Sequence, residues 1–311
     1  MSRTRGLLSA ATSVAIVLGA CADAPTVGPG DDPTPPEAQR YEADGMVLES
    51  REHGPEFCLG VINDSLPPQC SGLPLVDWDW EAVDGEDSAQ GAAWGAFHLV
   101  GTYDGNSFTV LEVAVPEPPA SDAPDFTAPC PEPTGGWVAT DPARASDADL
   151  QAVMRSAEGE PDSAGFWIDY VGQPSETTPP GEIVAVAAFT GDLERHEREL
   201  REVWGGPLCV TRHERTLAEL HRIQAEFDDE IGRELGLITT WSAGNVVENL
   251  VEFGVVVADE VAVAAVEERY GAGSVLLVPA LEPVAARRPG RTETCDFLPF
   301  ATHPHRLARI A

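Results

Sequence analysis

Ser146-Asp147-Ala148-Asp149-Leu150, with Val153 one turn on, and Thr216-Leu217-Ala218-Glu219-Leu220, with Ile223 in the same place, start two helices 70 positions apart. In each, a hydroxyl residue stands three positions before an acid, as a capping box requires, and an apolar stripe follows. A Gly-led strand comes next in both copies: Gly165-Phe166-Trp167-Ile168 and Gly236-Leu237-Ile238-Thr239. A second strand follows, IVAVAAFTGD at 183–192 and VEFGVVVADE at 251–260. A helix then ends in Glu202-Val203-Trp204-Gly205 and in Glu268-Arg269-Tyr270-Gly271, where Gly suits a left-handed C-cap. LCVT and VLLVP close the copies as strands. The order is α-β-β-α-β, twice, over about 146–212 and 216–280 within a domain at 141–283. One copy alone leaves an apolar face exposed, and two packed together bury it. The predicted fold is α+β: helices on one face of a mainly antiparallel sheet, or two such small sheets in contact. Leu220, Ile223, Phe227 and Ile231 fall at helical spacing and predict a core-facing stripe.

Upstream, residues 41–114 hold short runs rich in Val, Leu, Phe and Tyr between Gly, Pro and Asp, with no helix of useful length. The last two runs flank Tyr103-Asp104-Gly105-Asn106, a hairpin signal. A small antiparallel β-barrel or sandwich fits, with an OB-like barrel among the forms allowed. OB-folds often bind nucleic acid or sugars, but the basic groove that nucleic acid needs is absent. Asp77-Trp78-Asp79-Trp80-Glu81 places acids at alternate positions, yet lacks the Gly and Glu of a calcium loop and reads as a solvated acidic loop. In a strand, Trp78 and Trp80 share one face, as core. Residues 115–140 are Pro-rich and read as a linker. Residues 284–311, with Arg287, Arg288, Arg291, Arg306 and Arg309, read as a flexible basic tail.

The N-terminus has Arg3 and Arg5 followed by an apolar run from Gly6 to Ala20, as a signal peptide does. It ends in Leu18-Gly19-Ala20-Cys21, which resembles the lipobox of bacterial lipoproteins. That resemblance implies cleavage of residues 1–20 and a diacylglycerol thioether on Cys21, so that the acylated Cys21 meets a lipid bilayer. Acyl chains bury methylenes at about 0.8 kcal/mol each. Residues 21–40 are rich in Pro, Asp and Gly and form an unstructured tether. No later run approaches membrane-spanning length. The address implied is the extracytoplasmic face of a cell membrane.

Formal net charge is −33, and −35 once the two signal arginines are removed. Such a chain repels nucleic acid and anionic lipid heads and favours cationic ligands. There is no lysine; every basic residue other than His is Arg.

Outside the cytoplasm the remaining cysteines should pair. Cys58 and Cys70 bracket a short loop with a Pro-Pro turn and are the first pair expected. Cys130 and Cys209 are the second, stapling the linker to the repeated domain. Cys295 is left over, either free or displacing one of the others.

The chain contains no Gly-x-Ser-x-Gly elbow, phosphate loop, dinucleotide fingerprint or paired Cys/His zinc spacing. No catalytic, metal or cofactor residue is therefore assigned. Residues 214–283, through RTLAELHRIQAEF, the strands around Val246–Val257 and EERYGAGSVLLV, resemble part of the prosegment of secreted bacterial serine proteases. This implies a shared small fold, and a protease-associated regulator or inhibitor as one function. The N-terminal strands and the repeat also resemble actinobacterial lipoproteins, a resemblance that brings no activity with it. The leading expectation is a non-enzymatic binding or interaction module with a protein partner in the envelope. A hydrolase without a recognisable motif is the third.

Overall fold

The computed structural model describes residues 38–116, 125–172 and 178–284. Cys21 with its signal and most of its tether, Cys295, and the arginines beyond Val284 lie outside the described residues; the tether's last expected residue, Arg40, already opens a strand. Helices and strands are mixed along the described chain, in an α+β arrangement.

Six strands come first: β1 (Arg40–Glu49), β2 (Glu56–Asn63), β3 (Gln69–Val76), β4 (Asp87–Ala89), β5 (Ala92–Tyr103) and β6 (Phe108–Ala114). Pairing runs β1-β2-β3-β6-β5-β4, and β1 also pairs with β5 along its full length. The β3–β6 pair is parallel and its neighbours are antiparallel. Alternate residues point inward, so Val47, Phe57, Leu73, Phe97, Leu99 and Phe108 make one core. Trp78 and Trp80 join it, as expected, but not from a strand. Asp77 takes φ 61° and ends β3, and Trp80 opens a 3-10 turn capped by the Asp79 side chain. The two indoles meet edge to face at 5.1 Å and both pack on Phe97. Cys58 and Cys70 are bridged across β2 and β3.

The repeated order follows. The first copy is α1 (Asp147–Glu158), β7 (Ser163–Tyr170), β8 (Ile183–Phe189), α2 (Leu193–Val203) and β9 (Leu208–Arg212). The second begins with α3 (Leu217–Glu226), which runs on through a π turn (Phe227–Ile231) into α4 (Gly232–Glu234). Then come β10 (Thr239–Asn245), β11 (Leu250–Val255), α5 (Glu260–Tyr270) and β12 (Val275–Pro279). Both capping boxes form, at Ser146/Asp149 and Thr216/Glu219. The stripe Leu220, Ile223, Phe227 and Ile231 is buried, with Phe227 stacked on Phe253 at 3.9 Å.

Three details correct the sequence reading. Each three-stranded sheet is mixed, not mainly antiparallel: β7–β8 and β10–β11 are antiparallel, β8–β9 and β11–β12 parallel. The helix between the last two strands returns the chain to the same end, which forces the parallel pair. The strand expected from Gly236 starts at Thr239, because Gly236, at φ 71°, turns the chain out of the helix. Gly205 is not a left-handed cap; a Cβ there would lie 2.2 Å from the Asp141 carbonyl oxygen, so close approach demands glycine.

Helices cover one face of each small sheet. The second face of β7-β8-β9, carrying Trp167, Val184, Val186 and Cys209, is covered by Ala128, Cys130 and Trp137 of the Pro-rich segment, and by Val246 and Val247. The Cys130–Cys209 bridge pins that cover. The second face of β10-β11-β12 has rows Trp241–Gly254–Val278 and Ala243–Glu252–Leu276. It stays open, with Leu276 47% and Val278 36% exposed. After β12 the chain forms β13 (Glu282–Pro283), which pairs with β1, and Val256 and Leu281 bury themselves in the N-terminal core. Among the described residues, no helix is long and apolar enough to cross a membrane.

Replacing Ser146 or Thr216 by Ala should each cost about 1 kcal/mol of stability in denaturant unfolding. Replacing both Cys130 and Cys209 by Ser should cost more, about 2–5 kcal/mol by the same measurement.

Candidate functional site: an acidic cleft on β1

Where β13 meets β1, a cavity of about 740 Å³ opens between the N-terminal strands and the open face of β10-β11-β12. Its walls come from β1 (Glu42–Met46), β2 (Phe57–Gly60, Ile62), β5 (His98), the end of β6 and the strands of the second copy. β1 explains the charge. Ala43 and Val47 turn into the core, so alternation turns Glu42 and Asp44 outward. Asp44 pairs directly across to His98, Nδ1 to Oδ1, at 3.1 Å. Glu282 enters opposite Glu42, as their register dictates. The charged groups lining the cleft are therefore Glu42, Asp44 and Glu282, beside the one histidine.

The apolar wall is Ile62, Val115, Trp241 and Val278. Trp241 lies flat on β11 because its cross-strand neighbour is Gly254; a Cβ there would sit 2.0 Å from the indole Nε1. Gly60, at φ 74°, lets β2 pass the Thr240 carbonyl, 3.0 Å from where its Cβ would stand. The cleft thus presents carboxylates above aliphatic and aromatic surface, a combination that suits a cation with an apolar stem.

A second cluster holds Glu160, Asp162 and His196, whose ligand atoms lie within 4.8 Å of one another. His196, on α2, is 1% exposed and stacks on Phe189 at 3.6 Å. Its Nε2 is 2.9 Å from Asp162 Oδ2 and 2.9 Å from Arg195 Nη2. Arg195 also reaches Glu160 at 3.2 Å and Glu199 at 2.8 Å. Burial is the largest single influence on Asp162 and opposes its charge, but the His196 hydrogen bond and charge, together with the Arg195 guanidinium, hold the carboxyl below its ordinary value. A guanidinium occupies the place a metal ion would need, and the cluster works as a polar pin between α2 and the turn before β7.

Sequence reading assigned cysteines alone. Cys58 of the first bridge lines the cleft, while Cys130–Cys209 lies on the helix-free face of the first copy's sheet and does not line it. Neither the carboxylates of the cleft nor the His196 cluster was foreseen, because each set is assembled from positions far apart in the chain. Asp77 and Asp79 do not join a group of three potential metal ligands among the described residues.

His213 carries a pH consequence. It stacks on Trp167 at 5.9 Å, its Nε2 is buried without a partner, and burial pushes it below the ordinary 6.5. The unfolded chain therefore takes up a proton that the folded chain resists. Stability present above pH 6.5 should be lost as pH falls below it. Melting temperatures between pH 7.5 and 5.5 should show this slope; His213→Gln should flatten it. No family model matches the chain and no curated protein matches it, so the cleft and its geometry carry the functional reading.

Proposed function

We propose that this chain is a membrane-anchored extracytoplasmic lipoprotein that works as a non-enzymatic binding module for a cationic partner. The observation that carries the binding role is the cleft, where Glu42, Asp44 and Glu282 converge over Trp241 and Val278 with no arginine among the lining residues. The address rests on the lipobox-like Leu18-Gly19-Ala20-Cys21, and the two disulfides accord with an oxidising compartment. The circuit β1-β2-β3-β6-β5-β1, with β3 and β6 parallel, supports reading the N-terminal strands as a five-stranded barrel of OB type. The two α-β-β-α-β copies are read as a duplication, whose second member supplies Trp241 and Val278 of the apolar wall. Lipid on Cys21 would hold the cleft at the membrane surface through the tether, facing envelope proteins.

An arginine-rich peptide should bind the purified protein at low salt and leave as salt rises. The combined changes Glu42→Gln, Asp44→Asn and Glu282→Gln should weaken it about tenfold, each exposed pair contributing under about 1 kcal/mol. Neutralising Glu158, Glu267 and Glu268, on helices away from the cleft, should leave it unchanged. Equal losses from both sets would mean that bulk charge, not the cleft, attracts the peptide. Separately, Cys21→Ala should move the protein from the membrane fraction to the soluble fraction; retention in membranes would refute the lipid anchor.

A further inference from the structure

β1 is a strand with one complete edge and one broken one. Toward β5 it is paired at every residue from Arg40 to Glu49. On the other edge it pairs with β13 at Tyr41 and Glu42 and with β2 at Val47 and Leu48. Between these, Ala43–Met46 have no strand partner on that edge among the described residues. Across the gap β2 continues to Asn63, paired on its far side with β3 and, among the described residues, with no strand on its near side beyond Phe57. The acidic cleft lies in this gap.

Backbone N–H and C=O groups at a strand edge seek partners, and an open edge is a template for another chain. In a strand, alternate residues turn those groups toward a given edge, so two of the four residues 43–46 offer both donor and acceptor. The stretch is about 13 Å long at roughly 3.3 Å per residue, enough for four residues of an added strand. Its neighbours fix which side chains such a strand carries. Glu42, Asp44 and Glu282 stand along the slot and favour arginine or lysine. Trp241, Ile62 and Val278 form the apolar wall and favour an aliphatic side chain at the alternate positions.

We infer that the cleft receives an extended basic segment of a partner polypeptide, which adds as a short strand to β1 at Ala43–Met46. Affinity then comes from main-chain hydrogen bonds, and selectivity from alternating cationic and aliphatic side chains. This rests on the cleft being a site for cationic partners, and goes beyond it by specifying a strand, not merely a charge.

The test uses the full chain and two blocked heptapeptides of alternating Arg and Val. They are identical except that the second is N-methylated at alternate residues, which removes backbone donors and keeps every charge. N-methylation should weaken binding about tenfold or more, and the unmodified peptide should slow hydrogen exchange at residues 43–46. Equal binding by both peptides, with exchange there unchanged and the Glu42, Asp44 and Glu282 changes still weakening it, overturns strand addition and leaves the cationic site standing. If neither peptide binds, the cationic site itself fails. If binding appears only after Arg287, Arg288 and Arg291 are changed to Ser, residues 285–311 of this chain occupy the slot and the external partner is overturned.

Discussion

A β-sheet has two faces, and a three-stranded sheet with helices on one of them leaves the other to be covered. That constraint acts twice in this chain and is met in two ways. In the first copy, β8 runs Ile183–Phe189 and every residue is buried, because the Pro-rich segment lies across the face the helices leave free. Trp137 and Ala128 supply the cover and the Cys130–Cys209 bridge ties it down. In the second copy no such segment covers that face among the described residues, and the N-terminal strands approach it instead. Trp241 is laid flat against Gly254 and Gly60 lets the strand of the neighbour pass.

This second solution is incomplete, and its incompleteness makes the cleft. β13 pairs with the first residues of β1 and draws Leu281 and Val256 into the N-terminal core, which joins the two parts. β2 pairs with the last residues of β1. Neither reaches the middle of that strand. Packing therefore leaves a cavity walled by the N-terminal strands and by the second copy, and the outward residues of β1 give it negative charge.

The buried polar groups show a different use of charge. His196 sits against the Phe189 ring with Asp162 and Arg195 both at its Nε2. One nitrogen cannot donate to the carboxylate and accept from the guanidinium at once. Glu160 and Glu199 share the Arg195 charge, so the cluster is held by several partners and not by one pair. It ties α2 to the turn before β7 where the helix offers few apolar residues, Leu200 being its only other buried one.

The local elements were legible in the sequence. Capping boxes at Ser146 and Thr216, the Leu220–Ile231 stripe and the hairpin at Asp104-Gly105 depend on residues within one or two turns of each other, and short-range chemistry is written in order along the chain. Both bridges were legible too, since Cys58 and Cys70 lie close together and Cys209 sits in a buried strand. Trp78 is a local miss, since the strand ends where Asp77, just before it, takes a positive φ. Where a distant neighbour decides, the reading failed: Gly205 is glycine because Asp141 crosses it. The cleft belongs to the same class. Glu42, Asp44 and Glu282 are three among 52 acids in the sequence. The broken edge of β1 exists only once β13, 240 residues later, has taken its place beside Tyr41 and Glu42. The sequence determined which elements form, because their causes are local. The tertiary structure decided where a strand edge is left unpaired among carboxylates, because that depends on which surfaces run out of cover.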